Sequence, residues 1–411
     1  MKANSLFILF YFPPFARVGG RRWAKYLKYL YRQNHNFKVL AGDYKTTSPW
    51  DKDITEYESR ITRIPVEVKY PFYKQKLPNS FFEKVIWKLS YYYWSRKEST
   101  FNGNFWDDSV NYENAFLKQA IQMIENNHID QVVISLGPFR LSKIIITIKE
   151  KYPNIKIIID YRDYWHDSFV SLTELQKQEE LKLQATVLKH TDKVLVVNQE
   201  MQHYFKKTLH FKNVFVLPHC YDEEDFKTLI LDSRKKGDNV IRFVYGGALY
   251  ANMENHLTDF IQFVNKLHNQ NSKVEVDFYS AQEGYKGLFE TSLVKVNIHN
   301  YIPLEKYMKV INDSDVILFF RPDWSPNAMS SKFFEMIRLK KTILYFGPQS
   351  DVSDFINTNR LGLHYSKSWT DDQIKRILSD IKEDTLLNKS YDIEQHSFET
   401  STHELMTLLN E

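Results

Sequence analysis

Residues 327–348 of the chain have the sequence NAMSSKFFEMIRLKKTILYFGP, which predicts a turn, a helix and a strand in that order. Ser330 and Ser331 are good N-cap residues, because a hydroxyl can accept a hydrogen bond from a backbone N–H of the first helical turn. The apolar residues after them give the helix a buried face, and two lysines end it at the negative end of the helix dipole. A short apolar run of β-forming residues follows and stops at Gly347 and Pro348.

The start of this helix is also a candidate anion site. Its free N–H groups and the positive end of its dipole point the same way. Lys332 adds a full charge in the first turn, and Glu335 lies one turn further on, within reach of a hydroxylated part of the same ligand. A sugar nucleotide fits this pattern, with its diphosphate at the helix end and its ribose against the carboxylate. The alternative is that Glu335 only favours the helix N-terminus and that Lys332 is solvated.

Length and composition indicate a globular protein of two domains. A chain of 411 residues is too long for one ordinary core, and 43% of its residues are apolar and 26% charged. The net charge of +4 is too small to indicate nucleic-acid binding by itself, so no nucleic-acid partner is expected. The single cysteine, Cys220, excludes an internal disulfide and fits a reducing compartment, so a cytoplasmic location is expected.

We expect no targeting segment in this sequence, and the common cofactor motifs are absent from it. The apolar run at residues 6–12 is short and is followed by two prolines, so it predicts a strand and not a signal peptide. No apolar stretch is long enough to span a bilayer. The sequence has no zinc-type spacing, no P-loop and no G-x-S-x-G elbow, so neither a metal nor a cofactor is expected.

Strand-like and helix-like segments alternate along both halves of the chain. The first half opens with a strand, a loop that contains Gly19 and Gly20, a helix from Arg21 and a second strand from Phe37. The second half opens with a strand at residues 241–245 that ends in Gly246 and Gly247, and it repeats the scheme. Strands separated by helix-length segments form parallel sheets, so we predict an α/β fold of two Rossmann-like domains facing a central cleft.

The two glycine pairs follow strands whose carboxyl ends should border the ligand site. Glycine lets the backbone approach a ligand closely, although a plain turn is the alternative. The polar stretch near residues 218–238 is the expected domain boundary.

Residues 67–106 interrupt the alternation with a mixture of basic and aromatic residues. The segment 80–96 looks helical, with apolar and basic side chains, and such a helix can lie in a membrane interface. An ordinary helix packed on its own domain is the alternative. Basic residues near the N-terminus also hint at a membrane surface or a lipid phosphate as a partner, namely Arg21, Arg22, Lys25 and Lys28.

Further polar residues lie at predicted strand ends. In the loop DYRDYWH at residues 160–166, Asp163 can act as a base, and Arg162 can pair with Asp160 or with an anion. A purely structural Arg–Asp network is the alternative, and we expect His166 to pack or hydrogen-bond locally.

In the second half, Arg321 can bind a diphosphate or form a salt bridge with Asp323. The backbone around Ile302 can contact a planar base, or it can be a turn with no ligand.

The ordered set of motifs resembles the GT-B-type glycosyltransferases of the family 4 (group 1) kind over nearly the whole chain. Their donor-binding helix and next strand are matched by SSKFFEMIRLKKTILYFGP, in which the family's ribose-binding glutamate falls on Glu335. Their glycine loop is matched by PPFARVGG, and the first strand of their C-terminal domain by IRFVYGGALY. A subgroup with an Arg-Asp-aromatic signature is matched by LGPFR and IIIDYRDYW.

This resemblance implies an acceptor-binding domain at residues 1–220, a nucleotide-sugar-binding domain at residues 221–390, and a helix within residues 391–411 that crosses back. It implies transfer of a sugar from a nucleotide-sugar donor, with retention and no required metal. With the basic aromatic segment, it suggests a glycan or lipid-linked acceptor in surface polysaccharide biosynthesis, at the inner face of the cell membrane.

Two positions depart from the family pattern. A second glutamate often lies eight residues before the ribose-binding one, near the transferred sugar, and here that position is Asn327. The basic residue usually found after the second glycine loop is missing, and Arg321 or Lys332 can supply that charge. The predicted donor-binding residues are Gly19, Gly20, Gly246, Gly247, Ile302, Arg321, Ser330, Ser331, Lys332 and Glu335. The predicted catalytic residues are Asp163, Arg162 and Asn327.

Two other functions are compatible with the sequence. A non-catalytic nucleotide-sugar-binding subunit that supports a partner enzyme is favoured by Asn327. A sugar-nucleotide epimerase with the same fold is disfavoured, because such an enzyme needs no lipid-facing surface.

Overall fold

The computed structural model describes residues 3–15, 18–67, 80–98, 107–166, 172–227, 240–249, 252–280, 285–300, 302–327 and 329–411. The chain divides into two compact units. The N-terminal unit consists of residues 1–218 and 401–411, and the C-terminal unit consists of residues 219–400. Parts of the basic aromatic segment (68–79 and 99–106), most of the expected boundary (228–239) and Tyr301 lie outside the described residues.

The N-terminal unit is built on one parallel sheet. Its strands are β1 (Ser5–Leu9), β2 (Phe37–Asp43), β3 (Ile61–Pro65), β4 (Gln131–Ser135), β5 (Lys156–Tyr161), β6 (Lys193–Val196) and β7 (Val214–Val216). Their order in the sheet is β3-β2-β1-β4-β5-β6-β7. Its described helices are α1 (Arg21–Arg32), α2 (Phe81–Glu98), α3 (Glu113–Asn127), α4 (Ile144–Lys151), α5 (Glu174–Lys189) and α6 (Gln199–Lys207). All residues of β1 and β4 are buried, as expected for parallel strands covered on both faces.

The C-terminal unit repeats this plan with six strands. They are β8 (Val240–Gly246), β9 (Lys273–Tyr279), β10 (Val296–His299), β11 (Val316–Phe320), β12 (Thr342–Phe346) and β13 (Gly362–His364). Their order is β10-β9-β8-β11-β12-β13, and every pair is parallel. The described helices are α7 (Glu254–Asn269), α8 (Lys286–Phe289), α9 (Leu304–Asp313), α10 (Ser331–Arg338), α11 (Asp351–Thr358) and α12 (Asp371–Glu383). A last helix, α13 (Phe398–Asn410), carries the chain into the N-terminal unit.

The predicted fold class of two Rossmann-like α/β domains is confirmed by these sheets. In each sheet the strand order reverses once, between β1 and β4 and between β8 and β11. Open parallel sheets bind ligands outside the carboxyl ends of their strands at such a reversal. The loops after these four strands are therefore where a site is expected in each unit.

Five short helices and strands are missing from the sequence predictions: β3, α6, α8, α11 and β13. The strands β3 and β13 lie at sheet edges and have little apolar character, so their sequences do not alternate clearly. Helix α6 is short and begins at Asn198, whose side chain accepts a hydrogen bond from the Met201 N–H at 2.8 Å. That cap is visible in the sequence, but the helix it starts is too short to show a clear apolar period.

The basic residues of α1 do not form the surface patch that the sequence suggested. Arg21, Arg22, Lys25 and Lys28 are all buried. Lys25 and Lys28 both donate to Oδ1 of Asp53, at 3.0 and 3.1 Å. Their charged groups lie in the interior of the protein, so they are not available to a lipid surface.

Candidate functional site

The start of α10 presents backbone N–H groups at the carboxyl edge of the second sheet. Helix α10 follows β11, so its first turn lies beside the strand reversal between β8 and β11. Ser330 is the N-cap residue, as predicted, but its side chain makes no capping hydrogen bond. Phe333 N–H donates to the Ser330 carbonyl at 3.0 Å, whereas the N–H groups of Ser331 and Lys332 precede the first intrahelical bond. Such groups are suited to an anionic ligand.

Lys332 and Glu335 add opposite charges to this helix start. Glu335 is buried, with 2% of its surface exposed, and Lys332 is half-buried. Burial lowers the pKa of the Lys332 ammonium, and the nearby Glu335 charge opposes that shift. Lys332 makes no hydrogen bond to any described residue. The helix therefore carries one cation, at its positive end, that can still bind an anion.

The glycine pair after β8 makes room for an aromatic ring. A Cβ atom on Gly246 would lie 1.9 Å from Cζ of Tyr307, so only glycine fits beneath this ring. Gly247 N–H donates to the Tyr279 carbonyl at 3.1 Å. From the sequence, both glycines are expected to allow close approach by a ligand. In the structure, the close approach at Gly246 is made by Tyr307, which the sequence analysis does not single out.

Aromatic and ionisable side chains continue along the same edge at the ends of β9 and β10. The rings of Tyr279 and His299 are stacked, with centroids 4.5 Å apart. His299 Nε2 lies 2.6 Å from Oδ1 of Asp277. Ile302, a predicted donor-binding residue, is half-buried and packs on the core that contains Tyr307. No sequence pattern indicates the pairing of His299 with Asp277.

Arg321 and Asn327 lie in the loop between β11 and α10, and both have local partners. Arg321 Nε donates to the Ser325 carbonyl at 3.0 Å, and Nη2 donates to the Ser325 hydroxyl at 2.9 Å. The suggested Arg321–Asp323 salt bridge is not formed, because Asp323 pairs with His256 at 3.0 Å. Asn327 Oδ1 accepts a hydrogen bond from the Asp351 N–H at 2.8 Å, at the first residue of α11.

In the N-terminal unit, Asp160 is the centre of a buried network at the end of β5. Its side chain is fully buried and accepts from Trp23 Nε1 at 2.8 Å and from Ser135 Oγ at 2.9 Å. Arg22 Nη2 lies 3.3 Å from its Oδ1. The suggested pairing of Asp160 with Arg162 is therefore wrong, because Asp160 turns into the core.

Arg162 instead ties two strand-end loops together. It donates to the Gly19 carbonyl at 2.9 Å and to the Leu136 and Gly137 carbonyls at 3.2 and 3.1 Å. Gly19 and Gly137 follow β1 and β4, the strands on either side of the reversal. A Cβ on Gly19 would lie 3.1 Å from Nη1 of Arg162, so the glycine loop and the guanidinium are closely packed. Arg162 thus acts as a positioning residue.

Asp163 and Gly20 complete the predicted residues of this unit. Asp163 is exposed and has no hydrogen-bond partner among the described residues, so its carboxylate is accessible as a base. Gly20 is buried at the start of α1, where a Cβ would lie 3.3 Å from the backbone of Phe12. The structure therefore gives Gly20 a packing role and leaves the role of Asp163 as a prediction.

A second buried network supports the loop that carries Asp163. Trp165 Nε1 donates to Glu180 Oε2 at 2.8 Å, and Glu180 pairs with Arg140 at 2.5 Å. The Arg140 N–H donates to Asp107 at 2.8 Å, and burial raises the pKa of the Asp107 carboxyl to about 6. None of this was predicted, because these partners are distant in sequence. The His166 ring packs in tilted arrangements against Tyr164 and Tyr204, with centroids 5.0 and 5.3 Å apart, in agreement with the expected local packing.

The structure resembles several solved structures along its whole length. Sucrose-phosphate synthase from Thermosynechococcus elongatus matches with a TM-score of 0.63 at 11% identity, over 99% of this chain and 98% of that chain. The N-terminal domain of trehalose-6-phosphate phosphatase from Candida albicans matches with a TM-score of 0.58 at 13% identity, over 100% and 97%. An E. coli structure with bound UDP-2-fluoro glucose, titled trehalose-6-phosphate, matches with a TM-score of 0.57 at 10% identity, over 100% and 99%.

No protein-family model matches the sequence, and no curated protein matches it either. Identities of this size show a common fold and do not by themselves transfer an activity. The chain therefore has two Rossmann-like domains and shares its fold with GT-B glycosyltransferases.

Proposed function

We propose that the protein is a glycosyltransferase that moves a sugar from a nucleotide-sugar donor to a glycan or lipid-linked acceptor. The observation that carries this proposal is the start of α10, where unbonded N–H groups, Lys332 and the buried Glu335 lie beside the strand reversal of the C-terminal unit. A diphosphate needs the positive groups, and a ribose hydroxyl can donate to the carboxylate. A neighbour with the same fold was solved with UDP-2-fluoro glucose bound, which supports this class of donor.

We further propose that transfer proceeds with retention and needs no metal ion. Fixed positive groups at the α10 start can stabilise the charge that develops on the leaving diphosphate. In this proposal Asp163 orients or deprotonates the acceptor hydroxyl. We expect transfer activity to persist with EDTA, and we expect NMR to show a product with the donor's anomeric configuration. Loss of activity with EDTA would exclude metal-independent transfer, and a product of inverted configuration would exclude retention.

Glu335→Gln tests the donor site directly. The variant keeps the volume of the side chain but removes a charged acceptor, so we expect nucleoside diphosphate affinity to fall roughly 10- to 100-fold, as a charge-assisted hydrogen bond is worth about 1.5–3 kcal/mol. Isothermal titration with UDP, GDP, ADP and CDP measures this. Glu305→Gln, an exposed glutamate on α9 of the same unit, is the matched control and should bind as the wild type does. Equal binding by both variants would rule out the site.

A non-catalytic nucleotide-sugar-binding subunit is the second candidate, and Asn327 favours it. Asn327 occupies the position at which the resembled family often has a glutamate. Its side-chain oxygen accepts a hydrogen bond from the first N–H of α11. If this candidate is right, the purified protein binds the donor but neither hydrolyses it nor transfers its sugar to any acceptor fraction. Release of the nucleoside diphosphate during incubation with the donor would exclude it.

We also propose peripheral contact with the inner face of the cell membrane, as part of surface polysaccharide biosynthesis, through α2. Among the described residues, no helix is long and apolar enough to cross a membrane. Helix α2, however, exposes large apolar side chains, with Phe81, Phe82 and Leu89 exposed to 77%, 79% and 64%. Lys84 and Lys88 are exposed on the same helix and can pair with anionic headgroups.

Flotation with liposomes tests this contact. Phe82→Asp with Leu89→Asp should abolish co-flotation with anionic vesicles, because both changes place charge on the apolar surface. Leu293→Asp, at another exposed leucine, is the control and should float like the wild type. Flotation that is equal for the double variant and the wild type would remove the membrane from the proposal.

A further inference from the structure

Tyr307 covers Gly246 in the candidate donor site and is absent from every motif in the sequence. It is on α9, the helix that follows β10, and only 7% of its surface is exposed. Its ring covers Gly246 so closely that a Cβ there would lie 2.2 Å from the Tyr307 hydroxyl oxygen. The Tyr279 ring is 6.0 Å away. The hydroxyl is therefore held at the carboxyl end of β8, beside the strand reversal.

This hydroxyl has no hydrogen-bond partner among the described residues. Buried tyrosine hydroxyls usually find a partner, and a buried donor left without one is destabilising. Other tyrosines of the same unit follow the rule. The Tyr245 hydroxyl donates to the Ala248 carbonyl at 2.8 Å, and the Tyr345 hydroxyl donates to the Pro348 carbonyl at 3.0 Å. Tyr307 thus has an unused donor where phenylalanine would fill the same space.

The carboxylate of Glu335 indicates what kind of ligand would use this donor. Burial raises the pKa of the Tyr307 hydroxyl, and Glu335 is among the groups whose charge raises it further. Tyr307 and the α10 residues Phe333 and Phe334 belong to the same buried cluster. A neutral phenol that donates and a carboxylate that accepts therefore lie near each other. Two adjacent hydroxyls on one ligand match this pair, because one can donate to Glu335 while the other accepts from Tyr307.

We propose that Tyr307 is a specificity-determining residue, whose hydroxyl donates to one hydroxyl of a ribose cis-diol while the other binds Glu335. The inference rests on the proposed function, because it takes the donor to be a ribonucleoside diphosphate sugar. It adds a discrimination that the fold does not require: the protein should select ribonucleotides over deoxyribonucleotides. A site built to hydrogen-bond a hydroxyl rejects the analogue that lacks it, because its own polar group is then left without a partner.

Tyr307→Phe tests the proposal, because binding and stability should change in opposite directions. Without ligand, the thermal midpoint should stay the same or rise, since an unsatisfied buried hydroxyl is removed. The affinity for the best-binding ribonucleoside diphosphate among UDP, GDP, ADP and CDP should fall about tenfold. Isothermal titration is then repeated with the 2′-deoxy and 3′-deoxy forms of that nucleotide. The wild type should lose about tenfold with at least one of them, and the variant should bind that form and the ribonucleotide equally.

The control is Tyr345→Phe, which removes a hydroxyl that already has a backbone partner. It should lower the thermal midpoint and leave the ratio of ribonucleotide to deoxyribonucleotide affinity unchanged. The inference is overturned if the wild type does not discriminate, or if Tyr307→Phe discriminates as the wild type does. In both cases the proposed function stands, provided that Glu335→Gln weakens binding. If the wild type binds none of the four diphosphates or their sugars, the proposed function and this inference fail together.

Discussion

Two nearby aspartates have different roles because one is buried and the other is exposed. Asp160 lies near the end of β5 and is fully buried, whereas Asp163 follows the strand and is exposed. Asp160 accepts hydrogen bonds from Trp23 and Ser135 and faces the Arg22 guanidinium. It stabilises the junction of β5 with α1, whereas Asp163 is accessible to an acceptor.

Substitution by asparagine should affect mainly stability at Asp160 and mainly activity at Asp163. Asp160→Asn leaves the buried Arg22 charge without its ion pair, so we expect unfolding of the N-terminal unit to become easier by about 3 kcal/mol. Asp163→Asn should change the free energy of unfolding by less than about 0.5 kcal/mol, since the side chain is exposed, and should reduce transfer at least tenfold. Urea denaturation and a transfer assay measure the two effects. Comparable loss of stability in both variants would contradict this division.

At the scale of elements, two serine-capped helices of the C-terminal unit differ in what their caps do. Ser350 caps α11 with a reciprocal capping box, in which its hydroxyl accepts from the Ser353 N–H at 3.3 Å and Ser353 Oγ accepts from the Ser350 N–H at 2.8 Å. Ser330 caps α10 by position only, because its side chain makes no such bond. The Ser330 hydroxyl therefore does not occupy the N–H groups at the α10 start, as the proposed anion site requires.

Alanine substitutions should reveal this difference. Ser350→Ala is expected to reduce the stability of the C-terminal unit by about 1 kcal/mol, the usual value for a lost N-cap. Ser330→Ala should change it by no more than about 0.3 kcal/mol, because no capping bond is lost. Thermal unfolding in the absence of ligand gives both values. A cost at Ser330 as large as that at Ser350 would show that its hydroxyl does cap the helix in solution.

At the scale of the whole molecule, the end of the chain belongs to the unit that contains its beginning. Residues 401–411 are part of the N-terminal unit. The Ser401 and Tyr26 hydroxyls lie 2.9 Å apart, and Lys193 Nζ donates to the Leu408 carbonyl at 2.8 Å. Leu405 and Leu409 are buried. The N-terminal unit is thus completed only after the second domain has been synthesised, although its sheet already ends at β7.

Truncation after Thr400 should therefore destabilise the N-terminal unit. Removal of Leu405 and Leu409 exposes the apolar surface against which they pack. We expect this to lower the free energy of unfolding by roughly 3–6 kcal/mol. Calorimetry should show a lowered transition, and hydrogen exchange should assign it to β1 and β6. A variant with Glu411 alone removed is the control and should melt like the wild type. An unchanged transition after removal of all eleven residues would show that this segment adds no stability.

Periodicity and turn chemistry determined the two Rossmann-like domains, because buried parallel strands are apolar throughout and glycines mark their ends. The same local rules placed Ser330, Lys332 and Glu335 at one helix start, since a cap residue, a charge in the first turn and a carboxylate one turn later are all set within a few residues. Tertiary structure alone decided that Asp160 faces the core, that Arg162 joins the Gly19 and Gly137 loops, and that Tyr307 covers Gly246. These partners are far apart in sequence, and only the packing of the strands brings their side chains within contact distance.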